Sequence, residues 1–446
     1  MPAIDALPAP AIVIVGAREA AQHTPNTKES ADAAQLRTTT NVRNTEDALR
    51  YFPSLLVRKR HIGDTQAPLA TRTSGVGASA RSLIYADGVL LSALIGNNNS
   101  FASPRWGMVS PEEIATVDVL YGPFSAAYPG NSIGAVVNFT TRMPDKLEAS
   151  ATGAWNLQKF DQYATRSSYP AYQLAATIGD RMGPLSWFLS ANHVDSESQP
   201  LGYVTVTQPG ASAGGTAVTG VFPDLNRTGT PIFVLGAGGF EHQKQDNIKA
   251  KLRLDLPNDI RLTWQTGLFL NATESRAQTY LTDSSGSPVY AGTLNIAGQR
   301  VTVPATAFSN QVYRFRERHW MHSATLEQSG SSFSWRLIGS LYRYGQDDQR
   351  IPSVALSSAT AGGSGSIVRM TGTGWRTLDF HGYVRSLGAH QLHGGAHYDD
   401  FTLRSRRFAT ADWLNGSSGA LSQESLGHTQ TIALWGEDEW ALAPDL

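Results

Sequence analysis

From residue 147 onward the chain alternates apolar and polar residues with a period of two, in ten separate segments. The clearest is 247–256, where Ile248, Ala250, Leu252, Leu254 and Leu256 alternate with Asn247, Lys249, Lys251, Arg253 and Asp255. After Pro257-Asn258-Asp259 the pattern resumes, with Ile260, Leu262 and Trp264 set against Arg261, Thr263 and Gln265. A strand with this period has one apolar and one polar face. The segments are 147–156, 171–180, 185–195, 247–256, 260–273, 318–328, 331–345, 374–386, 389–404 and 428–441. Their connections alternate in length. Those at 181–184, 257–259, 329–330 and 387–388 read as tight turns. Those at 157–170, 196–246, 274–317, 346–373 and 405–427 read as long loops rich in Gly, Ser and Thr. A soluble sandwich has no reason to gather every long loop at one end, whereas a membrane β-barrel does so by construction.

Composition agrees with that reading. Charged residues are 16% of the chain, below the usual quarter of a soluble domain. No stretch approaches the ~18 consecutive apolar residues of a membrane helix. The net charge of -1 argues against a nucleic-acid partner. With no cysteine, disulfides, thiolate zinc sites and cysteine nucleophiles are excluded. H-E-x-x-H does not occur and no catalytic constellation stands out, so the chain reads as a non-enzyme with no cofactor. Gly236, Gly238 and Gly239 read as a loop feature, because no βαβ context surrounds them. His381, His393 and His397 fall on the polar face of the hairpin 374–404, within cross-strand reach, and are weak candidates for metal or ligand contact.

Residues 1–145 follow a different, mixed α/β pattern. Asn44 or Thr45 caps a short helix with acids in its first turn and Pro53 as its stop. Ser82–Val89 is a strand entering a turn at Asp87-Gly88. Pro111 starts a second short helix from its first position. Val117–Tyr121 and Ala135–Phe139 are strands separated by a Gly/Pro/Asn turn region. The start Met1-Pro2-Ala3-Ile4-Asp5 shows neither a basic n-region nor a following apolar h-region.

The segment Ser82–Pro144 resembles the plug domain of TonB-dependent outer-membrane receptors. The matching residues are Leu83-Ile84-Tyr85-Ala86-Asp87-Gly88-Val89, Ser110-Pro111-Glu112-Glu113-Ile114, and Val117-Asp118-Val119-Leu120-Tyr121-Gly122-Pro123. Ser125–Gly130 and Asn131–Thr141 complete the run, with Gly130, Gly134 and Asn138 as motif positions. Thr45–Pro53 is similar to the plug's first helix, and Leu434–Trp440 to a barrel strand of the same family. Ile12-Val13-Ile14-Val15-Gly16-Ala17-Arg18 resembles the TonB box, the segment that a periplasmic energising protein captures by strand addition.

The resemblance implies a mainly β fold, with an N-terminal α/β plug followed by an antiparallel transmembrane β-barrel. The barrel is expected to be incomplete, since the plugged barrels of this family have about 22 strands and ten are legible here. The expected organisation is a flexible lead over 1–30, a plug over 31–145 and a partial barrel over 146–446, with the chain an N-terminal fragment that lacks its signal sequence. The implied role is energised uptake of a scarce ligand across the outer membrane of a Gram-negative bacterium. An iron–siderophore chelate comes first; copper, cobalamin or a carbohydrate, and a binding or signalling receptor without transport, are the alternatives. The implied partners are a TonB-type periplasmic protein, a small-molecule ligand and outer-membrane lipid. Asn97, Asn98, Asn99, Phe101, Arg105 and Trp106 are the plug-apex candidates for ligand contact. The family often has arginine where this chain has Thr116 and Tyr121, and those arginines pair with carboxylates on the barrel wall. Their replacement puts the usual plug–wall ion pairs in doubt, with Arg72 and Arg81 as other sources of plug charge.

Overall fold

The computed structural model describes residues 27–75, 81–94, 103–122, 126–210 and 212–440. The N-terminal part is built on five strands: β1 (Lys28–Asp32), β4 (Leu83–Ala86), β5 (Val89–Leu90), β6 (Ile114–Tyr121) and β7 (Ala135–Thr141). They pair in the order β1-β6-β7-β4-β5, with β4 and β7 parallel and the others antiparallel. β2 (Leu55–Val57) and β3 (Leu69–Thr71) form a separate hairpin. Leu83, Ile84, Val117, Val119, Val136, Val137 and Phe139 are buried together, as expected for a sheet covered on both faces.

Helix α1 (Ala33–Thr39) follows β1, capped by the Asp32 side chain. The helix expected after Asn44 is a 3-10 turn, Thr45–Leu49, ending before Pro53. Asp47 reaches back to accept from the Arg43 and Asn44 amides, each at 2.9 Å. The second short helix is likewise 3-10, Pro111–Glu113, with Glu113 accepting from the Ser110 amide at 3.0 Å.

The rest is one antiparallel meander. Its ten long strands are β8 (Glu148–Gln162), β9 (Thr165–Met182), β10 (Leu185–Glu197), β14 (Pro231–Leu256), β15 (Ile260–Thr279), β18 (Tyr313–Gln328), β19 (Phe333–Pro352), β21 (Gly374–Leu387), β22 (His390–Thr410) and β23 (Leu421–Trp440). Each pairs with its neighbours in this order, and among the described residues β8 and β23 each have a partner on one side only. The sheet therefore curves round the N-terminal domain without closing.

All ten sequence segments are strands, and the four tight turns fall where expected. At one of them Asn258 and Asp259 both take left-handed φ values, 62° and 56°, within the three-residue loop that joins Leu256 to its partner Ile260. The long connections are shorter than expected, because the strands run past the alternating stretch. Residues 157–170 are no loop: β8 and β9 continue paired to Gln162 and Thr165, joined through Tyr163 and Ala164. Gly236, Gly238 and Gly239 also lie within a strand, β14, around a bulge. A Cβ at Gly236 would come within 2.2 Å of the Gln278 carbonyl oxygen. Periodicity fades in these stretches because both faces there are polar or glycine-rich, although the backbone ladder persists.

The remaining long connections are folded. β11 (Gly202–Thr207) and β13 (Phe222–Leu225) extend the sheet beside β14. β12 (Thr216–Ala217), β16 (Gly292–Ile296) and β17 (Gln299–Val303) make a small sheet. Helix α2 (Leu356–Ala359) precedes β20 (Gly365–Arg369), which bridges β19 and β22. Leu235, Leu281, Ile296, Val303, Phe308 and Trp413 form a separate hydrophobic core among these segments.

Candidate functional site: the interface between plug and wall

The long sheet is inside out relative to a water-soluble protein. On β14 the alternating face that meets the N-terminal domain carries Lys249, Lys251 and Arg253, exposed by only 1%, 6% and 5%. The opposite face carries Ile248 and Leu252, exposed by 52% and 41%. Gln265, Asn271, Glu317 and His319 are likewise buried, while Trp264, Leu341, Leu378 and Leu434 are exposed. Polar groups inside and large apolar groups outside reverse the usual preference of globular proteins.

The N-terminal domain fills the concave side and is held there by ion pairs. Glu113 Oε2 lies 2.7 Å from Lys249 Nζ, with both side chains essentially inaccessible. Their alignment is poor for a hydrogen bond, so the contact is chiefly Coulombic. Two residues along β14, Lys251 Nζ lies 3.0 Å from Asp87 Oδ2 and 2.9 Å from Thr141 Oγ1. Asp87 also accepts from the Thr141 amide at 2.9 Å. Burial works to raise the Asp87 carboxyl, but Lys251 and the Thr141 hydrogen bonds hold it below the usual carboxylate range. At the other end of the same face, Glu241 takes a 2.9 Å contact from His61 Nε2 and a 3.7 Å contact from Arg60.

These pairs correct the expected source of plug charge. Arg72 and Arg81 are exposed. The central links run with opposite polarity, from plug carboxylates to wall lysines. Tyr121 stays within the plug and donates to the Pro53 carbonyl at 2.7 Å.

The expected motif positions have concrete roles. Asp87 and Gly88 both have left-handed φ, 49° and 82°, and form the β4–β5 turn. A Cβ on Gly88 would lie 2.7 Å from Ile338 Cδ1 of the wall. A Cβ on Gly134 would meet Ser82 Oγ at 2.4 Å, so close packing requires glycine there. Asp118 lies 3.9 Å from Lys28 Nζ across β1 and β6. Asn138 donates to the Tyr128 hydroxyl at 3.3 Å. Gly130 has open space around its Cβ position, and Gly122 follows the end of β6. Pro123 lies outside the described residues, as do Ile12–Arg18, Asn97, Asn98, Asn99 and Phe101.

The two described apex candidates are not open to a ligand in equal measure. Trp106 is buried, donates from Nε1 to the Ala67 carbonyl at 2.8 Å and meets Phe139 edge-on. It anchors the plug internally, although it also lines the cavity beside Arg105. Arg105 is half-buried, its guanidinium 4.8 Å from the ring centre of Tyr344 on the wall.

His381 and His393 line one cavity with Asp379, but the three histidines do not converge as a ligand group. His397 is held between Asp379 and Asp399, at 2.5 and 2.8 Å. His381 lies against Trp435 and His393 against Tyr383. Among the described residues the acid–histidine trio that converges is a different one, Glu317, His319 and Asp347, all buried. Its charge is already opposed by Arg105, whose field reaches both carboxylates. Sequence reasoning missed this trio, although alternating polar residues on neighbouring strands were its signal.

A cavity of about 60 Å³ beside Arg105 contains the plug's Glu46. Glu46 is 1% exposed, and neither carboxylate oxygen has a hydrogen-bond partner. Burial pushes its carboxyl up to about 8, against the pull of Lys59 and with Asp47 and Asp64 adding to the rise. The folded plug thus keeps a proton that the unfolded chain releases near pH 4.5. The stability this confers is complete below that pH and is lost as pH rises to about 8. Glu46→Gln should flatten the dependence of plug unfolding between pH 5 and pH 8, which denaturant titration at the two pH values measures.

Comparison with known proteins places this geometry. Residues 20–136 match the TonB-dependent Receptor Plug Domain family. No curated protein sequence matches the chain. Among solved structures, the ferric citrate transporter FecA, unliganded, is similar with a TM-score of 0.64 at 13% identity, over 95% of this chain and 55% of that one. A mutant of the ferric enterobactin receptor PfeA of Pseudomonas aeruginosa, in complex with enterobactin, gives 0.57 at 15%, over 94% and 56%. The ferric yersiniabactin uptake receptor FyuA of Yersinia pestis gives 0.53 at 11%, over 94% and 62%. The chain thus spans little more than half the length of the structures it matches.

Proposed function

We propose, from a chain whose residues 20–136 are a TonB-dependent receptor plug domain, that the full protein is an outer-membrane receptor for energised uptake of a scarce small molecule. The carrying observation is the plug seated in an inside-out sheet by buried charge pairs. The exposed apolar face suits the lipid of a Gram-negative outer membrane. The buried polar face suits a lumen that the plug closes.

Opening that lumen means separating charges such as Glu113 and Lys249, which ligand contact at the apex alone does not do. Work must enter from elsewhere. Ile12–Arg18, ahead of β1, is a β-branched segment able to add as a strand to a TonB-type periplasmic protein. The proton-motive force of the inner membrane would then drive the plug's rearrangement. An iron–siderophore chelate is the favoured ligand, because the similar structures named above are ferric-chelate transporters and receptors. Arg105 is the described apex residue that this reading assigns to ligand contact.

The test is accumulation of radiolabelled ferric siderophores by cells carrying the full-length protein, with and without a proton uncoupler. Surface binding should survive the uncoupler while accumulation falls to background. Accumulation that ignores the uncoupler would overturn the reading.

A further inference from the structure

At the tight-turn end of the wall, below the plug, lies a cavity of about 410 Å³. It is far larger than the 60 Å³ cavity beside Arg105 and within the range of small-molecule sites, ~300–1,000 Å³. Four wall cations line it: Lys251 and Arg253 on β14, Arg261 on β15 and Arg336 on β19. The plug adds Arg37 from α1 and Arg142 from just after β7. Against these six stand three lining carboxylates: Asp32, Asp87 and Glu327.

Several of the cations are engaged. Lys251 is committed to Asp87. Arg261 touches Asp255 at 3.1 Å and Glu327 at 3.2 Å. Arg142 holds Glu148 at 2.6 Å. Arg253 reaches Asp145 and Ser186 through one terminal nitrogen, at 3.4 and 3.3 Å.

Arg336 also reaches the Asp87 carbonyl through a terminal nitrogen at 3.5 Å, but other polar atoms of the lining are not satisfied. Arg253 is 5% exposed, yet its Nε has no hydrogen-bond acceptor, with Asp255 at 3.7 Å. Arg336 Nε is in the same position, with Glu327 at 3.8 Å. Gln265, 2% exposed, has an unpartnered Oε1 in the same lining. Buried donors left unmade are costly and call for a partner. Guanidinium groups from neighbouring strands present fork-shaped donors that match the paired oxygens of carboxylate and phosphate.

We infer that this cavity is a binding site for a small multivalent oxyanion, met on the far side of the plug from the apex. The oxyanion's oxygens engage Arg253 and Arg336, Arg37 closes the plug side, and Gln265 accepts from a hydroxyl or a water. That such an anion is the transported ligand or a part of it rests on the uptake reading; the binding itself does not.

The test is equilibrium binding to the purified full-length protein in detergent, with citrate and pyrophosphate as probes and glucose as a neutral control. Citrate or pyrophosphate should bind saturably, and binding should weaken with added salt. Arg253→Gln should weaken it by at least about tenfold. Should that variant fail to fold, Arg37→Gln, at an exposed position on α1, should still weaken binding about threefold. Arg316→Gln, about half exposed and paired with Glu274 at 3.9 Å near the other end of β18, should leave it unchanged. No binding of either anion, or binding that ignores both Arg253→Gln and Arg37→Gln, overturns the site. An anion that binds to a protein without energised uptake would defeat the transport reading alone.

Discussion

Glu113→Gln is expected to destabilise the seated plug by about 3–5 kcal/mol. The substitution is nearly isosteric and keeps an oxygen for the Ser110 amide, so the short helix at Pro111–Glu113 remains capped. What it removes is the countercharge of Lys249, a side chain 1% exposed. An ammonium group left there has neither water nor a partner, and this orphaned charge is the main cost of breaking a buried pair. Lys249→Met should cost a similar amount by stranding the carboxylate. The double variant should recover most of the loss, because both charges leave together. Denaturant unfolding of the four proteins, read as a double-mutant cycle, measures the coupling. An exposed pair such as Arg166–Asp161 supplies the contrast and should show no measurable coupling. Singles that match wild type would mean that the plug is not held by this pair.

Deleting residues 12–18 is expected to abolish energised accumulation while leaving ligand affinity within about twofold, since apex contacts are untouched. The argument is mechanical. The plug is retained by charge pairs at Glu113, Asp87 and Glu241, and nothing at the apex bears on all three. Force applied ahead of β1 does bear on them, because β1 pairs with β6, whose first residue follows Glu113 directly. Binding and accumulation measured on the same cells separate the two steps. Accumulation that survives the deletion would remove TonB capture at this segment from the mechanism.

Much of this architecture was legible in the residues, because a strand between two different surroundings must alternate. Lys249, Lys251 and Arg253 at every second position marked a polar face before any fold was known. Their partners were not legible: Glu113 and Lys249 meet only after the whole plug is seated. The extended parts of β8 and β22 were missed because alternation stops where both faces are polar, and that of β14 because Phe233, Val234, Leu235 and Ala237 are buried in succession. The role of Trp106 was not legible because a tryptophan in a loop serves equally well as a platform or an anchor. What decides it is the Ala67 carbonyl, distant in sequence and adjacent in space. Tight turns were the easiest elements, since Asp87-Gly88 and Asn258-Asp259 carry their geometry in residue type.

The central claim is that uptake requires the plug to move against the wall, and a removable tether tests it directly. A Cβ at Gly63 of the plug would stand 3.1 Å from Ser196 Oγ on β10, close to the Cβ-to-far-sulfur spacing of a disulfide, about 3 Å. These 446 residues contain no cysteine, so Gly63→Cys with Ser196→Cys meets no competing thiol among them. The left-handed φ of +81° at Gly63 adds a cost of about 1–2 kcal/mol, which the reduced form reports on its own. Ferric-siderophore accumulation is then measured in cells before and after reduction of the bridge. The account predicts ligand binding in both states and accumulation only in the reduced one. Equal accumulation with the bridge intact would contradict it.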